Sequence, residues 1–197
     1  MSNSISKSIK KAKLDDSFIE FIEEFANETD RAAVVLGAAQ LDMPLYQIIQ
    51  LHLFPSNGSK DELLDGDSPL GTFSSKISLV FRLGLIDIYL VRVLHLIRKI
   101  RNSFAHEVGG CTLASGAHKD RVRELVAIFQ SYEEFESLKN NISKNWSSDG
   151  PSRDFRVVLA IVSVRLERVF ANTEQLNQNF CTSLIPIAWH KEKEGEE

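Results

Sequence analysis

The densest concentration of side chains able to do chemistry is the segment LHLIRKIRNSFAHE, residues 94–107. It gathers His95, Arg98, Lys99, Arg101 and His106 around Asn102. Placed on a helix at about 100° per residue, Leu90, Val93, Ile97, Ile100 and Phe104 share one side, and His95, Lys99, Asn102 and His106 form a stripe opposite. Arg101 falls among the apolar residues. A guanidinium there keeps its charge, so it needs a carboxylate, a run of carbonyls or an anionic ligand in a cleft. Two readings stand side by side. In one, Arg101 is half of a buried ion pair, with Asp30, Glu28, Asp65 or Asp67 as the available acids. In the other it binds phosphate. For His95 and His106 the alternatives are a solvated or capping histidine near a helix C-terminus, where positive charge suits the dipole, or, for His106, a general acid or base. His95, Arg98, Lys99 and Asp30 complete the set as binding candidates.

Other chemistries lack their residues. Cys111 and Cys181 form no CxxC pair, so neither a zinc site nor a disulfide framework is expected, and no metal or cofactor is assigned. The chain has no GxxxxGK[ST], no GxGxxG after a strand, no HExxH and no GxSxG. Asp65, Asp67, Ser68 and Thr72 in DGDSPLGT are explained by turn formation and helix capping, as is Glu62.

The elements that must position these groups are helical. Almost every apolar run repeats at three and four, and no hairpin signal separates two alternating runs. The predicted class is all-α, a single-domain bundle of about six to seven helices. Phe18, Phe21, Ile22 and Phe25 make the first stripe. Thr29 or Asp30 caps the next helix, whose small residues Ala32, Ala33, Ala38 and Ala39 invite close approach of another helix. Pro44 inside it predicts a kink, or a break recapped by Asp42. Ser59 and Glu62 have capping-box spacing and predict a short helix through Leu64. Thr72 opens another, stopped at Gly84. Asp87 caps the helix over about 88–106. A further helix is expected near 120–139, a linker over 141–152, and a last long helix opened by Pro151 and Ser152. Its VVLAIVSV core is rich in β-branched residues, but the helical period continues on both sides of it.

At 197 residues the chain suits one well-buried domain, and 43% hydrophobic with 25% charged residues is an ordinary globular balance. The expected division is a basic arm over 1–14, a helical domain over 15–180 and a charged tail over 181–197. A formal net charge of −4 argues against a chain that wraps nucleic acid. The lysine-rich start lacks a following apolar stretch and no run approaches the length of a membrane span, so a cytoplasmic protein without membrane association is expected.

Three blocks carry a resemblance: ETDRAAVVLGAAQLD at 28–42, DELLDGDSPLGTFSSKISLVFRLGLI at 61–86 and LIRKIRNSFAHE at 96–107. In this order they resemble the mannitol operon repressor family over about residues 28–175. The resemblance implies an all-α transcriptional regulator, a repressor or co-repressor working through a protein partner or oligomer without reading base pairs itself. Pro44 and the C-terminal third depart from the family pattern. A shorter stretch, Arg101, Asn102 and His106, is similar to the motif of the HEPN superfamily of helical RNases. That likeness implies a metal-independent endoribonuclease, with Arg101 holding the scissile phosphate and His106 helping to deprotonate the 2′-hydroxyl of RNA. Five helical steps leave Arg101 and His106 about 140° apart, so they converge only if the helix is wound differently near its end or a homodimer pools two motifs.

Overall fold

The computed structural model describes residues 25, 28–56, 58–107, 109–130, 135–136, 139–140 and 149–176. Within them Thr29 opens the first helix, α1 (Asp30–His52), its side chain accepting from the Ala32 amide at 3.2 Å. Thr72 opens α2 (Phe73–Arg82) through the Ser75 amide, and Asp87 opens α3 (Ile88–His106) through the Leu90 amide at 2.8 Å. Then follow α4 (Gly116–Phe129) and α5 (Gly150–Asn172). No strand occurs among the described residues, so the chain is all-α. Five helices are described, against the six to seven expected. The first predicted stripe falls largely outside the described residues; of it only Phe25 is seen, helical and buried. The arm over 1–14 and the tail over 181–197 also lie outside.

One boundary follows directly from local chemistry. Gly84, at φ 74°, ends α2: the Leu85 amide donates to Val80 O and the Gly84 amide to Phe81 O, a Schellman closure that only a residue at ease with positive φ completes cheaply. Three expectations are corrected. Helix α1 runs through Pro44 without a break, and Asp42 does not recap it but pairs with the buried Lys76 of α2 at 2.7 Å. The stretch from Ser59 is turn and not helix, because Asp61 takes the capping role: its carboxylate accepts from the Leu63 and Leu64 amides at 2.9 and 3.1 Å. Finally, α4 ends at Phe129 instead of running on to 139. Six residues along one continuous helix point in different directions, whereas here Phe129 and Phe135 stack at 5.6 Å.

Helix α1 packs on α2, α3 and α5, while α4 packs on α3 and α5, around one shared apolar core. The small-residue stretch does what its composition implies. A Cβ on Gly37 would stand 2.5 Å from Leu159 Cδ1, so α1 and α5 are in near-backbone contact there. By length and composition α1 could cross a membrane, but its apolar face, from Ala33 to Ile49, is spent on these neighbours. Helix α5 is enclosed: Phe155 through Ala160 are six consecutive buried residues, including Arg156. Beyond α5 the chain closes over the end of α1, the Leu176 amide donating to His52 O at 2.9 Å.

Candidate functional site

Helix α3 presents the basic cluster largely as its wheel predicts, except at Arg101, which is exposed, and at His95 and Asn102, which are half-buried. Val93, Ile97, Ile100 and Phe104 are buried, Leu90 is partly so, and Lys99 and His106 are exposed. Arg101, expected in the core, is exposed instead and donates to Asn102 Oδ1 at 3.1 Å. It stands at the flank of the buried arc, and its long stem carries the guanidinium to water. Helix α3 keeps the ordinary α winding to His106, so the change of winding that was one of two routes to an Arg101–His106 convergence does not occur. His95 is half-buried, its Nδ1 lacking a partner among the described residues; burial first, then the charges of Arg98 and Lys99, hold its pKa below the usual histidine value. The Nε of Arg98 is likewise buried and unpartnered.

Asp30 takes part in the ion pair that the sequence suggested, but with a different arginine. Arg156 is 2% exposed and its NH1 donates to Asp30 Oδ1 at 3.1 Å. The guanidinium also donates to Phe25 O, Ser152 O and Glu28 O at 3.1, 2.8 and 2.7 Å. Asp30 Oδ2 accepts from the Leu113 amide, Ser152 Oγ and Thr112 Oγ1 at 2.8–3.0 Å. Burial pushes this carboxyl upward in pKa, and the four donors outweigh it, holding Asp30 below the ordinary value. Each guanidinium nitrogen and each carboxylate oxygen has a partner, which is how a buried pair offsets its desolvation penalty. Glu28 contributes only its carbonyl. Asp65 binds Tyr46 and the Asp61 amide, so neither it nor Glu28 is the acid of a buried pair.

A second constellation assembles where α3 ends. Arg31, next to Asp30 on α1, turns the other way: its guanidinium donates to Phe104 O at 2.8 Å and to Glu107 O, closing the terminal carbonyls of α3. The same NH2 reaches Cys111 Sγ at 3.5 Å. The Cys111 thiol donates to Glu107 Oε2 at 2.9 Å, and His118 Nε2, in the first turn of α4, lies 3.0 Å from Glu107 Oε1. His118 is buried against the Phe104 ring, centroids 4.4 Å apart, and its Nδ1 has no partner among the described residues. Donation by the Cys111 thiol, aided by His118 and opposed by partial desolvation, holds Glu107 below the usual glutamate pKa; the same bond raises that of Cys111. Sequence reading missed this group because it looked for paired cysteines. The signal available was only the spacing of Glu107, Cys111 and His118 about a glycine-rich helix connection.

An apolar groove of about 600 Å³ lies at the other end of α3, between Leu85, Tyr89, Leu90, Phe129 and Ile161, with the exposed Arg165 among its lining residues. None of the sequence-predicted site residues lines it.

These observations define an all-α protein whose polar interior ties the start of α1 to α5 and to the α3–α4 connection. The fold is similar to that of a chain in the X-ray structure of the MtlR–HPr complex from Escherichia coli: TM-score 0.53, 17% identity, covering 79% of this chain and 99% of that one. No protein-family model and no curated protein matches the sequence.

Proposed function

We propose that this protein is a cytoplasmic regulator of the mannitol operon repressor type, acting through a protein partner or as an oligomer and not by independent base readout. The observation that carries the reading is the shared fold, which spans nearly the whole of the chain from the MtlR–HPr complex. The formal net charge of −4 agrees with protein contacts over duplex binding. On this reading HPr is the first partner to try. Calorimetric titration of HPr into the purified protein is expected to give saturable binding, with no sequence-specific shift of duplex DNA by the protein alone. A folded protein that ignores HPr yet shifts one operator tightly at physiological salt overturns it.

A second reading, a HEPN-like metal-independent endoribonuclease, is favoured by one observation. Arg101 and Asn102 are hydrogen-bonded together near the exposed His106, open to a second copy of the chain. In it Arg101 holds phosphate and His106 moves the proton, across a dimer. Incubation of cellular RNA with wild type and His106→Ala in EDTA tests it. Cyclic-phosphate ends lost in the mutant support the reading, and no cleavage by a folded dimer removes it.

A further inference from the structure

The donor set at the end of α3 is chemically mixed: one carboxylate, one thiol and one imidazole. Their ligand atoms all lie within 4.8 Å of one another. We propose that Glu107, Cys111 and His118 form a binding site for a divalent transition metal of the zinc type, with a fourth position open to water or an exogenous ligand.

Geometry carries the proposal. Tetrahedral zinc holds S, N and O donors at bond lengths that place them about 3.4–3.6 Å apart. Here Cys111 Sγ lies 2.9 Å from Glu107 Oε2 and His118 Nε2 lies 3.0 Å from Glu107 Oε1, hydrogen bonds to the two oxygens of one carboxylate that a cation would replace by spreading the donors by about 0.4–0.7 Å. Glu107 can make that adjustment, since its side chain is 47% exposed at the helix end. His118 cannot wander: it is buried against Phe104 with Nε2 facing the carboxylate.

Charge and surroundings agree. On binding, the Cys111 S–H proton leaves to solvent and the thiolate joins the ionised Glu107 carboxylate, so two negative charges meet the 2+ ion and neutral His118 adds none. Among the described residues Arg31 is the arginine bonded to the group, and it points an N–H at Cys111 Sγ while its other contacts fix it on backbone carbonyls. An N–H donor on a metal-bound thiolate is the usual outer support of such ligands. The unpartnered Nδ1 of His118 must carry the ring proton once Nε2 binds metal, which sets affinity below that of four-ligand structural zinc.

The test is a Co²⁺ titration of the full-length protein, read by the thiolate-to-cobalt charge-transfer band and by its displacement with Zn²⁺. One cobalt per chain is expected. Cys111→Ser removes the band, Cys181→Ser leaves it, and Glu107→Gln, on the exposed side chain, weakens binding on the order of tenfold or more while circular dichroism shows the fold intact. A folded wild type with no charge-transfer band overturns the site, as does a band that survives Cys111→Ser or is lost in Cys181→Ser.

Discussion

Asp30 and Arg156 stand 126 residues apart in the chain and 3.1 Å apart in space, and each is fully occupied by the other's neighbourhood. Asp30 bonds the α3–α4 connection through Leu113 and Thr112, whereas Arg156 bonds the segment before α1 through Phe25 O and Glu28 O. Truncating one partner strands the other. Arg156→Met is expected to lower unfolding free energy by about 3–5 kcal/mol in urea titration. The pair Asp30→Asn with Arg156→Met is expected to recover part of that loss. A single substitution costing less than about 1 kcal/mol would show the pair to be solvated.

The same residue sets a pH dependence. Donors to Asp30 hold its folded pKa below the ordinary 3.8, so the unfolded chain binds the proton more readily than the folded one. Its contribution is complete above the unfolded value and is lost as pH falls through the folded value. Comparison of wild type with Asp30→Asn isolates it from other acids. The stability difference between them is expected to hold from neutrality to about pH 5 and to shrink below that. A difference that instead grows on acidification would reverse the assigned direction.

Arg101 gives the opposite expectation. Its side chain is exposed and, among the described residues, bonded only to its neighbour Asn102, so Arg101→Ala is expected to alter stability by no more than about 0.5 kcal/mol. Thermal melts decide this readily. A large loss would return Arg101 to the core position that the helical wheel gave it.

The α1–α5 crossing predicts a coupled pair. Gly37→Ala gains helix propensity of up to about 1 kcal/mol but drives its methyl into Leu159 Cδ1, and overpacking typically costs about 1–3 kcal/mol. We expect a net loss in the wild type and a gain in a Leu159→Ala background, where the space is free. Additive effects of the two substitutions would show that α5 retreats without cost.

Capping chemistry made most of the architecture legible. Thr29, Thr72 and Asp87 each start a helix where their side chains predict, and Gly84 ends one, because these signals act within a few residues of themselves. Arg156 was not legible for the converse reason. A stripe on one face presumes that the other face meets water, and α5 has no such face between Phe155 and Ala160. Ser59 misled because Asp61, two residues on, accepts from the Leu63 and Leu64 amides while its own amide donates to Asp65 Oδ2, which holds the segment in a turn. The Glu107, Cys111 and His118 group depends on where α3 stops and α4 restarts, a relationship that no fixed spacing encodes.

Residues 30 and 31 adjoin in sequence and diverge in space, one bound to α5 and the other to the end of α3. Their partners lie 73 and 126 positions downstream. During synthesis, therefore, the first turn of α1 leaves the ribosome long before either anchor exists. Arg31 acquires its carbonyls once α3 has formed, but Asp30 waits for α5, the last of the described helices. A chain interrupted before residue 156 carries an acidic group prepared for burial without the Arg156 cation that receives it, so the interior closes only once α5 has been made.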